Sequence, residues 1–249
     1  MHFRLLSVML LIGSFSANAQ FSKGDKMVGA SVGSVFINSG TSDVSFPSVT
    51  AGYSSTNNGW GIRIEPSIGW FISDKTAIGG TIILNPSSQK NSYEAGGNTF
   101  QQDKTNRFNI GLGGFARNYF NDNKSMMPYG QFGFNFGINT EKVEGFDYSS
   151  DGGGSYKDSY EGESSGGIFA NASLQFGLTK MLGENAGLDF FAGYTYSYNK
   201  NTFKTTTSRD YGNNGSIENT FVNEPTTKFT NHGFIIGIGF QVFLKGKKK

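Results

Sequence analysis

The chain has no cysteine. That excludes a disulfide framework and a thiolate metal centre. It has two histidines, His2 and His232, and the first lies in a segment that reads as a cleaved leader. A histidine metal cluster and a pair of catalytic histidines are therefore excluded, and no cofactor is expected. Long hydrophobic runs are also missing: no stretch approaches the ~20 apolar residues that a membrane helix needs. Charge is scarce and nearly balanced, with 21 Lys and Arg against 19 Asp and Glu. Four lysines crowd into residues 245–249, which leaves the body slightly acidic. No clustered basic face of the kind that binds nucleic acid is present.

What is present begins with a targeting signal. His2 and Arg4 precede a short apolar run over residues 5–15, followed by Ser16-Ala17-Asn18-Ala19 and Gln20. A basic start, a short apolar core and an Ala-x-Ala end describe a secretory signal peptide. Residues 1–19 are expected to be removed, leaving residues 20–249 as one domain with a net charge of +1. Glycine is abundant, at 36 of 249 residues, about twice ordinary usage. Phe alone numbers 24.

Residues 65–84 set the pattern for the rest. Pro66, Ile68, Trp70 and Ile72 alternate with Glu65, Ser67, Gly69 and Phe71, and Ile78, Ile82 and Leu84 alternate with small residues after a turn at Ser73-Asp74-Lys75. A period of two with one apolar face is a β-hairpin. The same alternation predicts strands over residues 27–38, 60–73, 76–85, 107–120, 128–138, 167–181, 186–198 and 233–244. In the first, Val28, Ala30, Val32 and Phe36 share the apolar face and Val35 lies opposite. Residues 39–59, 86–106, 139–166 and 199–231 read as long polar loops, with residues 49–53 a possible strand extension. Short turns follow the second, fourth and sixth strands. Eight strands long enough to cross a bilayer, with alternating long and short connections, predict an all-β fold: an eight-stranded antiparallel transmembrane β-barrel with long extracellular loops.

The polar face supports a barrel over a soluble sandwich. It collects most strand glycines, as the tight interior of an eight-stranded barrel requires. It also collects Arg63, Glu65, Arg107, Arg117 and Asp189. An Arg facing lipid at the midplane costs ~2–4 kcal/mol, so the phase is enforced. Aromatics near strand ends suggest interface girdles: Trp70, Phe120 and Phe243 on the short-turn side, and Phe36, Trp60, Tyr196 and Tyr198 on the long-loop side.

The run Pro66-Ser67-Ile68-Gly69-Trp70-Phe71-Ile72-Ser73-Asp74-Lys75-Thr76-Ala77-Ile78-Gly79 resembles the P-x-(V/I)-G-Y-F-x-x-D-(N/K)-x-A-(I/L)-G hairpin of small outer-membrane β-barrel proteins common in Bacteroidetes-type bacteria. These are similar in architecture to the transmembrane domain of OmpA-like porins. The Ala19-Gln20 junction and the Gly24-Asp25-Lys26-Met27-Val28-Gly29 segment resemble that family too. Trp70 stands where Tyr is commoner. The resemblance implies an outer-membrane location in a Gram-negative bacterium and an eight-stranded barrel. No peptidoglycan-binding domain of the OmpA type is expected after the last strand, and the family implies no defined activity.

Three features are candidates for chemistry. The charges Arg63, Glu65, Arg117 and Asp189 form a candidate lumen network, a salt-bridged plug or a gate that passes ions. His232 falls where the longest loop enters the last strand, with no recognisable nucleophile at a fixed spacing. Residues 141–163 carry Asp147, Asp151, Asp158, Glu161 and Glu163 among glycines and tyrosines, which match no calcium-loop spacing. The leading expectation is a non-enzymatic barrel with a structural or surface-contact role. A narrow porin-like channel is the alternative, and a lipid-modifying enzyme a more distant one. Expected partners are outer-membrane lipid and the barrel-assembly machinery, with the chain acting as a monomer.

Overall fold

Alternation is cleanest where the fold is most regular. Met126–Asp151 (β5) presents Phe132, Phe134, Phe136 and Ile138 outward, each half or more exposed. Asn135 and Asn139, from the opposite phase, are buried. The computed structural model describes residues 21–44, 52–120, 125–151, 154–164 and 166–246. The expected leader lies outside the described residues, as do residues 45–51 and the last three lysines.

The other strands are Lys26–Val44 (β1), Tyr53–Phe71 (β2), Thr76–Ala95 (β3), Asn98–Tyr119 (β4), Gly154–Ser164 (β6), Gly167–Met181 (β7), Ala186–Tyr211 (β8), Asn219–Asn223 (β9) and Thr226–Leu244 (β10). All pair antiparallel. β1 through β5 pair in sequence, then β5 with β7, β7 with β8, β8 with β10 and β10 with β1. That closes a ring of eight strands, with β1 and β10 joined from Lys26↔Leu244 to Gly33↔Gly237. β6 lies above β7, between β5 and β8. β9 pairs with β8 just beyond the start of β10. β6 and β9 thus continue the positions of β7 and β10 beyond the ring.

The long connections are therefore not loops for most of their length. Residues 86–106 continue the β3–β4 ladder out to Ala95↔Asn98, and the chain reverses at Gly96-Gly97. Both glycines have positive φ, 57° and 80°, the requirement of a two-residue hairpin turn of mirror-image type. Residues 39–44 pair with 53–58, residues 142–151 with 154–163, and residues 205–209 with 219–223. Polar residues occupy both faces of these extensions, which hides their period. What sustains them is the backbone ladder inherited from the barrel. Of residues 49–53, only Gly52 and Tyr53 are described, and β2 begins at Tyr53.

Two positions depart from the predicted phase. A bulge in β1 between Gly33 and Val35 flips the phase of that strand. Val35 and Ile37 consequently point outward, 61% and 83% exposed, and Val35 is not on the inner face. The second departure is Phe243, expected in an exterior girdle. It is 2% exposed and stacks inside the barrel, because Val242 and Leu244 hold the outward phase of β10.

Candidate functional site

The interior is built in layers. At the short-turn end, Met27, Phe71, Tyr119, Met127, Met181 and Phe243 are all buried. Phe21, from the segment before β1, inserts among them. Its ring lies 4.4 Å from Phe71, 4.6 Å from Phe243 and 5.2 Å from Tyr119. Asp25 anchors this plug: its carboxylate accepts from the Ser22 amide at 3.0 Å and the Gly246 amide at 2.8 Å. Lys245 Nζ lies 3.5 Å from the same carboxylate, so the start and end of the barrel are tied together.

Above this apolar layer sits a buried ion pair. Arg117 Nη1 donates to Asp189 Oδ2 at 2.7 Å across the lumen, with side chains 6% and 1% exposed. Thr179 Oγ1 donates to the other Asp189 oxygen at 2.6 Å, and Arg117 Nε donates to Gln131 Oε1 at 2.7 Å. The guanidinium stacks 3.9 Å from the centre of the Tyr129 ring. Both charges are hydrogen-bonded as well as paired, which is what makes burial of ions tolerable. The ring of Tyr129 fits because position 177 is glycine: a Cβ there would collide with the Tyr129 ring and would lie 2.8 Å from the Phe190 carbonyl oxygen.

Arg63 and Glu65 point inward as expected but do not join this pair. They bond each other along one strand, Arg63 Nε to Glu65 Oε1 at 2.9 Å. The expected network is therefore two separate pairs at two heights. A third pair escaped the sequence-based grouping. Arg107 donates to Glu141 through Nε at 2.9 Å and Nη2 at 3.0 Å, and Asn201 Nδ2 donates to Glu141 Oε2 at 3.1 Å. Glu141 falls in residues 139–166, which the sequence pattern reads as a long loop. The signal for its role was that β5 keeps its alternation past Ile138, which places Glu141 in phase with Asn139.

Higher still, the hairpin extensions carry ion pairs of their own. Arg209 grips Asp158 with two hydrogen bonds of 2.7 Å, which holds the guanidinium above its ordinary pKa. Outside, Lys104 bonds Glu144 at 2.7 Å and lowers the pKa of that carboxyl, and Lys142 pairs with Glu163. Within the extension, partial burial and the nearby Asp147 push the Asp103 carboxyl above the usual carboxylate range.

The exterior is apolar over the span of the ring. Trp60, Trp70 and Tyr196 are 49%, 44% and 53% exposed. Tyr198 has the same outward phase, and Phe120 lies over Gly130 on the outer side. His232 is on this exterior, its Nδ1 2.8 Å from the Tyr194 hydroxyl. Among the described residues, no group of three or more His, Cys, Asp or Glu side chains could hold a metal.

No family model and no curated protein matches the chain. Solved structures similar to it include three outer-membrane proteins. Pseudomonas aeruginosa OprG is 17% identical, with 92% of this chain and all of that one covered, at a TM-score of 0.40. The N-terminal β-barrel domain of Pseudomonas aeruginosa OprF is 14% identical over 89% and 98%, at 0.27. The outer-membrane protease OmpT of Escherichia coli is 10% identical over 94% and 100%, at 0.35. The ring of eight strands is established by the pairing within this chain itself.

Proposed function

We propose that the chain is a closed outer-membrane barrel, non-enzymatic and non-conducting, that holds long β-hairpins above the cell surface for structural or contact roles. The observation that carries this reading is the inversion of the molecule. A closed ring turns its large apolar side chains outward while Arg63, Glu65, Arg107, Arg117 and Asp189 point in. Only lipid makes that arrangement favourable, and the strand pairs of the ring satisfy their backbone groups there without water. The bilayer then spans the height between Trp70 and Tyr196, the two tryptophans and outward tyrosines sit at its interfaces, and the short turns face the periplasm. Residues 1–19 export the chain, the assembly machinery inserts it, and it acts as a monomer.

The lumen supports a structural role over a channel. The Phe21 layer and the Arg117–Asp189 layer occupy its section one after the other, and eight strands leave room for little besides side chains. The location is tested by fractionation. The protein is expected in the outer-membrane fraction, and its folded form is expected to migrate faster on an SDS gel than the boiled form. Recovery in the soluble periplasmic wash, with no heat-dependent shift, refutes the reading.

A further inference from the structure

The wall of the barrel is not equally closed all round. β1 and β10 pair from Lys26↔Leu244 to Gly33↔Gly237 and no further. Beyond that point β1 continues along β2 to Val44↔Tyr53, and β10 continues along β8 to Thr226↔Thr202. Among the described residues, 34–44 and 226–236 thus each have a strand on one side only. The seam opens within the apolar band, because Val35 and Ile37 stand opposite Ile62 and Trp60, while Phe234 and Ile236 stand opposite Tyr194 and Ala192. Phe234 is 88% exposed, Ile37 83%, Ile236 75% and Val35 61%. These four side chains rim the gap.

A cavity of about 130 Å³ lies inside at the same height. Its wall includes Arg63, Asn85, Asn109, Asn171, Thr195 and Asn199. Arg63 is opposite Gly33 and Thr195 is opposite Gly233, so the wall stops one strand short of the seam on each side. At Gly233, on the inward phase of β10, a Cβ would meet nothing within 4 Å. Phe191 packs against Gly33 and Gly237, where the β1–β10 pairing ends. The Oδ1 atoms of Asn109 and Asn171 are buried without a hydrogen-bond partner in the protein. Both are acceptors in search of donors, and such groups are costly to leave unmet. The one charged residue in the wall, Arg63, is already bonded to Glu65, so the cavity does not call for an anion.

We propose that the β1–β10 seam is a lipid-side entrance to this cavity, which binds the uncharged, hydroxyl-bearing head of a single-chain amphiphile. The head donates to Asn109 and Asn171. The acyl chain leaves through the seam across Val35, Ile37, Phe234 and Ile236. Hydrocarbon alone does not suit the cavity, because the Asn109 and Asn171 acceptors inside it need donors. The proposal rests on the outer-membrane reading above.

The test uses the full mature chain, purified in lauryldimethylamine oxide, which carries no hydroxyl, and titrated with 1-monolauroylglycerol, whose glycerol head is small enough for the cavity, with retained adducts counted by native mass spectrometry. Wild type is expected to retain one monoacylglycerol. Gly233→Trp, which fills the open space, and Asn109→Leu/Asn171→Leu, which removes the acceptors, are each expected to weaken retention about tenfold or more. No retention by wild type, or equal retention by Gly233→Trp, overturns the proposal. Disulfide-linked dimers of a Val35→Cys variant in native membranes also overturn it, by assigning the seam to a second copy; the chain has no other cysteine to confuse the result. The heat-dependent gel shift, followed in every variant, reports on the barrel separately from the site.

Discussion

Replacing Asp189 by Leu strands a guanidinium. Arg117 is 5% exposed, and without Asp189 it keeps only the Gln131 carbonyl, the Tyr119 hydroxyl and the Tyr129 ring. The Thr179 hydroxyl loses its acceptor at the same time. Removing one partner of a buried pair costs about 3–5 kcal/mol, most of it the uncompensated charge left behind. Removing both is different. Arg117→Met/Asp189→Leu fills the same space with apolar atoms, and such replacements are often neutral to within about 1 kcal/mol or stabilising. The double variant is therefore expected to be more stable than the Asp189→Leu single variant, a strong non-additivity. Urea unfolding from lipid vesicles, followed by the fluorescence of Trp60 and Trp70, measures it. A shift of this size exceeds the ~10–15% error of linear extrapolation. The reasoning fails if Asp189→Leu costs less than about 1 kcal/mol, or if the two substitutions simply add.

Phe21→Ala removes the ring that fills the short-turn end, at a cost of about 3 kcal/mol, read in the same unfolding assay; no loss would mean that the segment before β1 merely rests against the barrel. Gly177→Val drives side-chain atoms into Tyr129 and the Phe190 carbonyl, and is expected to lower the yield of heat-shifted, folded barrel sharply, whereas Gly40→Val meets open space and should fold normally. The raised pKa of Asp103 gives a pH dependence of defined sign. The folded hairpin binds that proton more tightly than the unfolded chain, so this contribution strengthens as pH falls through the raised folded value and is lost on return to neutral. Limited proteolysis of the β3–β4 and β4–β5 extensions should accordingly be slower in mild acid, and slower at neutral pH in Asp103→Asn than in wild type; equal rates at neutral pH would remove Asp103 from the account.

The ring itself was legible because a buried-inside, apolar-outside strand repeats every two residues. β5, β7 and β8 carry that signal in unbroken form, and the inward phase of Arg63, Glu65, Arg117 and Asp189 follows from it directly. Partnership was less legible than phase. Arg117 and Asp189 are brought together by three successive strand pairings, β4 with β5, β5 with β7 and β7 with β8, whereas Arg63 and Glu65 simply face each other two residues apart. Glu141 was obscured because the polar extension of β5 looks the same as a loop once lipid no longer demands an apolar face. Gly96-Gly97 did advertise a hairpin turn, and Asn91 through Asp103 could have been paired across it. The bulge at Val35 had no local signature: Val35, Phe36 and Ile37 are three consecutive apolar residues that fit either phase, so the shift emerges only from pairing with β2. Phe21 lay beside the expected cleavage point, where a sequence pattern gives no indication of a packing role.

The central claim is that the lumen is blocked, and conductance tests it most directly. Purified protein reconstituted into planar bilayers is expected to give no discrete current steps, and Asp189→Leu is expected to remain silent because the Phe21 layer still closes the section beneath. Steady single-channel steps from wild type, shifted in size by Arg63→Ala, would contradict the account and identify the chain as a narrow pore.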